Sequence, residues 1–150
     1  MENSYYRQRC FNFSTIGKIV YDPDRKKMKS NTDNWAVIEI DNEIATYYRF
    51  LFFKRYGIQL DKPAWDAHIS VLKNYTSMDK DIAWKYQDGL EVEVNYTHDL
   101  YWNDKHVWVN AHCDAFYEIR DHYKILVSKD RGHITIGKFN ERDKYKIPYQ

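Results

Sequence analysis

Two four-residue segments, His68-Ile69-Ser70-Val71 and His133-Ile134-Thr135-Ile136, each set a histidine two residues before a hydroxyl and alternate with aliphatic residues. In a strand, residues two apart share a face. Each segment therefore turns an imidazole and a hydroxyl to one side and two aliphatic side chains to the other. Brought together, two such segments supply two imidazoles able to act as base and acid, and two hydroxyls able to hold an anion by hydrogen bonds. That set can cleave a phosphodiester without a metal. A lone H-x-[ST] is short enough to occur in any strand; its repetition, in surroundings that also repeat, carries the reading.

Residues 34 to 40, rich in β-branched and aromatic types, read as a strand. Asp41 then reads as a helix N-cap, with Ile44, Tyr48, Leu51, Phe52 and Arg55 following at helical spacing and Gly57 closing the helix. After a connection containing Pro63, residues 65 to 73 form the strand of the first motif. The second half repeats the order: a strand over 105 to 111, a helix opened by Asp114 with Ala115, Ile119 and Tyr123 on one face, and a loop through Lys129, Asp130 and Arg131. Gly132 then leads into the second motif strand, which runs to Phe139. Between the units, Leu90, Val92, Val94 and Tyr96 alternate with polar residues as a half-buried strand. Residues 16 to 21 make a further strand, followed by a hydrophilic loop whose Arg25 to Lys29 run reads as a solvated tip.

These patterns predict an α+β protein of one domain, residues 1 to 150, with a first motif unit over about 34 to 74 and a second over about 105 to 140. The expected architecture is bilobal and internally duplicated. Two antiparallel sheets face a central groove, with the helices outside. Alternation from His133 places Arg131, Gly137 and Phe139 on the groove side as substrate contacts, while Lys138 faces away. Tyr101 and Trp102, in an expected loop, are placed to touch a base. Trp65 falls on the opposite parity to His68 and is assigned to the core. Glu141 and Tyr145 lie in a tail whose position alone suggests a cover for the groove. His106 and Asn110 share a face of their strand, and His98, His106, His112 and His122 fit no zinc-ligand spacing. A site of His68, His133 and Asp66 lacks ligands for a metal, so no metal and no cofactor is expected.

Composition narrows the class. The chain has 150 residues, 43% hydrophobic, enough for a sizeable core and too apolar for a disordered segment. With 23 basic and 22 acidic residues, net +1, it lacks the basic excess used to grip long duplex nucleic acid. A small nucleotide needs only a few local donors. Fourteen tyrosines and five tryptophans exceed what a core needs, so some can stack on bases. Cys10 and Cys113 have no metal-ligand spacing and read as reduced. No membrane-spanning stretch and no signal peptide are evident, which predicts a cytoplasmic location.

The paired motifs resemble those of the 2H phosphoesterase superfamily, defined by two H-x-[ST]-hydrophobic segments on the inner strands of a bilobal, duplicated fold. The resemblance covers roughly residues 34 to 140. Tyr47-Tyr48-Arg49, the stretch from Lys62 to Ser70, and Gly132 to Gly137 are similar to a small bacteriophage group described as RNA-repair-like. Serine in the first motif departs from the commonest form but keeps the hydroxyl. The resemblance implies a hydrolase acting on a small nucleotide phosphodiester: RNA 2′,3′-cyclic phosphates, 2′,5′-linked oligoadenylates, RNA 3′ ends, ADP-ribose cyclic phosphate or, in one phage branch that evades bacterial immunity, cyclic oligonucleotide signals. His68 and His133 would be the catalytic acid and base, in either order, with Ser70 and Thr135 holding the phosphate. Two alternatives stand beside this: a module that sequesters a nucleotide uncut, and a ligase-like activity on RNA ends, disfavoured by the missing basic track.

Overall fold

Strand β1 (Phe13–Tyr21) is the organising element of the computed structural model, which describes residues 11–24, 32–76, 81–125 and 132–149. Its later half pairs antiparallel with β2 (Ala36–Glu39), from Lys18 opposite Glu39 to Tyr21 opposite Ala36. Its earlier half pairs with β4 (Glu91–Tyr96), from Phe13 opposite Tyr96 to Lys18 opposite Glu91. On the far edge of β2 lies β3 (His68–Leu72), the first motif strand. On the far side of β4 lies β6 (His106–His112), joined through Asn95–His112 and Tyr96–Ala111. The second motif strand, β7 (His133–Lys138), takes the other edge of β6. A two-residue strand, β5 (Tyr101–Trp102), also pairs with β6.

The antiparallel order is thus β3-β2-β1-β4-β6-β7, and the two end strands approach each other so that the sheet nearly closes on itself. This overturns the expected bilobal, duplicated arrangement of two sheets facing a groove. The physical reason lies in β1: it is long enough to bond β2 and β4 along different halves of its length, so both motif units are stitched into one sheet. The motif strands consequently meet edge to edge at a seam.

Two helices complete the fold. Helix α1 (Asn42–Tyr56) starts where the Asp41 carboxylate accepts from the Glu43 N–H at 2.9 Å and stops at Gly57, whose φ of 70° is a left-handed conformation that glycine adopts without strain. Helix α2 (Asp114–His122) has no side-chain cap. Both bury one stripe against the inner face of the sheet: Ala45, Tyr48 and Phe52 from α1, and Ala115, Phe116 and Ile119 from α2. They meet Ile19, Ile38, Ile69, Val94, Val109 and Ile134 in one continuous core. No helix among the described residues is long and apolar enough to cross a membrane.

Candidate active site

Alternation along both motif strands sorts the side chains as their sequence dictates. Ile69 and Val71 in β3, and Ile134 and Ile136 in β7, are buried. His68, Ser70 and Thr135 are half-buried on the outer face, and His133 is exposed there. The seam between the strands is tight. A Cβ added to Gly132 would stand 3.2 Å from Ile69 Cγ2 and 3.2 Å from the Ala111 carbonyl oxygen, crowding both.

Two clefts flank the seam. One, of about 390 Å³, is lined by Ser70 and His133 together with Lys73, Phe116 and Arg120. The other, of about 90 Å³, is lined by Thr135 together with Arg49, Lys62, Trp65, Asp66 and Ala67. The hydroxyl of each motif therefore lies beside the histidine end of the other, which means that β3 and β7 run in opposite directions. This crossing interleaves the two half-sites.

His68 is held from three sides. Its Nδ1 lies 2.7 Å from the Asp66 carbonyl oxygen and its Nε2 lies 3.2 Å from Ser70 Oγ. A carbonyl oxygen can only accept, so the proton belongs on Nδ1, and Nε2 is the nitrogen left to exchange protons with a ligand. Its ring stacks on Trp65 at 3.9 Å, and Trp65 leans in turn on Trp35 at 5.6 Å. Trp65, expected in the core, thus lies half-exposed against the candidate catalytic ring. The strand begins only at His68, so strand parity does not govern Trp65. His133 meets Trp108 edge-on at a ring separation of 6.2 Å. Register places Asn110 opposite His133 and Trp108 opposite Thr135.

Both motif strands contain a bulge at the fourth motif residue. In β3, Ser70 pairs with Val37 and Leu72 with Ala36, leaving Val71 as the extra residue. In β7, Thr135 pairs with Trp108 and Gly137 with Val107, leaving Ile136 extra. A bulge shifts the alternation by one. That shift corrects the expectation for the end of β7: Gly137 and Phe139 turn inward and Lys138, opposite His106, joins the outer face. A Cβ on Gly137 would stand 2.9 Å from Leu60 Cβ, and Phe139 packs edge-on against Phe52 at 5.8 Å, so neither lines the clefts.

The other expected contacts divide. Tyr101 and Trp102 lie in β5 instead of a loop. Tyr101 pairs with Trp108 and shares the outer face with Thr135. Trp102 is buried against Phe52 and Tyr56, with its indole N–H donating to the Pro148 carbonyl at 2.9 Å. Arg131 and the basic run at 25 to 29 lie outside the described residues. Tyr145, in a 3-10 helix (Glu141–Lys146), is 82% exposed, and the Glu141 carboxylate pairs with Lys144 at 2.9 Å; neither covers the clefts. Among the described residues no three His, Cys, Asp or Glu side chains gather at metal-binding spacing.

Among the cleft residues that sequence reasoning missed are Arg49 and Arg120. Arg49 Nη1 donates to the Ile136 carbonyl at 2.7 Å and Nη2 to Thr46 Oγ1 at 3.2 Å, while burial pulls its guanidinium below the ordinary value. Arg120 Nη1 donates to the Val71 carbonyl at 3.0 Å. The available signal was an arginine adjoining the buried stripe of each helix. Comparison of the chain with protein-family models, curated proteins and solved structures gives no match.

Proposed function

We propose that the protein is a metal-independent phosphodiesterase of the 2H type that hydrolyses a small nucleotide phosphodiester, such as a cyclic oligonucleotide or a 2′,3′-cyclic phosphate. The observation that carries this reading is the pairing of Ser70 with His133 in one cleft while Thr135 adjoins the segment entering His68. Two antiparallel strands arranged this way offset the imidazoles along the seam by two residues, about 7 Å. A phosphate between them has one ring on each side, as in-line displacement requires. One imidazole takes a proton from water as its oxygen bonds to phosphorus. The other gives a proton to the ribose oxygen as its bond to phosphorus breaks. The two hydroxyls, with Lys73 and Lys62 at the rims, hold the non-bridging oxygens as charge builds there.

The test is turnover, in EDTA, of 2′,3′-cyclic mononucleotides, cyclic di- and trinucleotides, 2′,5′-oligoadenylate and ADP-ribose cyclic phosphate. His68→Ala and His133→Ala should each reduce the rate of any cleaved member about 10²- to 10⁴-fold, the contribution of one general acid or base. Binding without product, or full activity in a folded His68→Ala protein, sinks the reading.

A further inference from the structure

Two arginines outside the motifs perform the same act on opposite strands. The bulge in each motif strand takes the fourth motif residue, Val71 or Ile136, out of the regular ladder, and both residues are buried. A buried carbonyl at such a point needs a donor from elsewhere. Arg120 supplies it to Val71 at 3.0 Å and Arg49 to Ile136 at 2.7 Å. The partners are crossed. Helix α1 leads into β3, yet its arginine holds β7; helix α2 leads into β7, yet its arginine holds β3.

We infer that Arg49 and Arg120 are paired positioning residues, each fixing the motif that belongs to the other strand-helix-strand unit and so locking the two half-sites to one another. The inference rests on the phosphodiesterase reading of the seam. Each captured carbonyl belongs to the residue directly after a motif hydroxyl, so holding it fixes the backbone from which Ser70 or Thr135 projects. Each arginine also lines the cleft on that hydroxyl's side: Arg120 with Ser70, Arg49 with Thr135. The guanidinium planes are themselves held. Arg49 gives its second arm to Thr46, and Arg120 lies over the Phe116 ring at 5.2 Å. Lysine has no planar fork and cannot reproduce both contacts.

Double-mutant cycles on a cleaved diester test the crossing. Arg49→Ala and Arg120→Ala should each lower kcat about 10- to 100-fold, the scale of a small misplacement, with KM within about twofold. Arg49→Ala should add little to Thr135→Ala but multiply with Ser70→Ala, and Arg120→Ala should show the reverse. Arg49→Lys and Arg120→Lys should recover part of kcat, since one N–H can still reach the carbonyl. These variants carry the same cycles if an alanine variant fails to fold. Amide hydrogen exchange gives a reading independent of turnover: Arg49→Ala should speed exchange at Ile136 to Lys138 and spare Ser70 to Leu72, and Arg120→Ala should do the opposite. Unchanged exchange, loosening of the wrong strand, or equal coupling to both hydroxyls overturns the inference. Absence of turnover by the wild type defeats the phosphodiesterase reading while exchange still decides the clamp.

Discussion

Strands β3 and β7 carry the same histidine-aliphatic-hydroxyl-aliphatic order and bulge at the same fourth residue, yet they surround their histidines differently. His68 is fixed from three directions, by the Asp66 carbonyl, the Ser70 hydroxyl and the Trp65 ring. His133 is exposed at the start of its strand, where Trp108 meets it edge-on at a ring-centroid separation of 6.2 Å. The strands diverge again just past the bulge. At the inward position β3 has Leu72, 1% exposed, whereas β7 has Gly137, because Leu60 already fills the space that a side chain would take. A four-residue motif thus specifies which groups face outward. The neighbours decide how firmly each is held.

The two inward positions give the largest expected effects on stability. Leu72→Ala should destabilise the fold by about 2–5 kcal/mol, since it removes a fully buried side chain and leaves a cavity. Gly137→Ala should cost about 1–3 kcal/mol for the opposite reason, overpacking against Leu60. Urea unfolding of both variants checks the pair, and a neutral Gly137→Ala would show that the end of β7 yields where β3 does not. A smaller effect should separate the histidines. Trp65→Leu should lower kcat on a cleaved diester about 2- to 10-fold, the span of one aromatic ring contact, because the Trp65 face holds the His68 ring in position. Trp108→Leu, which removes only an edge contact, should fall well short of that. Equal losses in the two variants would erase the asymmetry.

The smallest effect concerns pH. His106 faces Lys138 across the β6–β7 ladder; burial, reinforced by Lys105 and Lys138 and opposed by Asp104, holds its imidazole below the usual value of 6.5. The folded protein therefore binds this proton less readily than the unfolded chain does. The contribution is fully present above the unfolded value and is lost as pH falls through 6.5 toward the lower folded one. Substituting His106→Gln should flatten that part of the stability curve, measured by urea unfolding at a series of pH values between 7 and 5.

The sequence by itself determined the local elements. Asp41 and Gly57 bound α1, alternation marks β4 and β6, and the paired motifs announce two imidazoles and two hydroxyls on one face, because caps and strand periodicity are short-range properties. Phase after position four was not legible, since a bulge comes from the pairing of two strands and leaves no signature in either one alone. For that reason Gly137 and Phe139 turned inward and Lys138 outward. Nor did local pattern reveal that β1 bonds β2 and β4 together and makes one wrapped sheet in place of two facing ones. Only the tertiary structure brought Arg49 to a carbonyl 87 residues away and Arg120 to one 49 residues away, since side chains so far apart in the chain meet through the closure of the sheet.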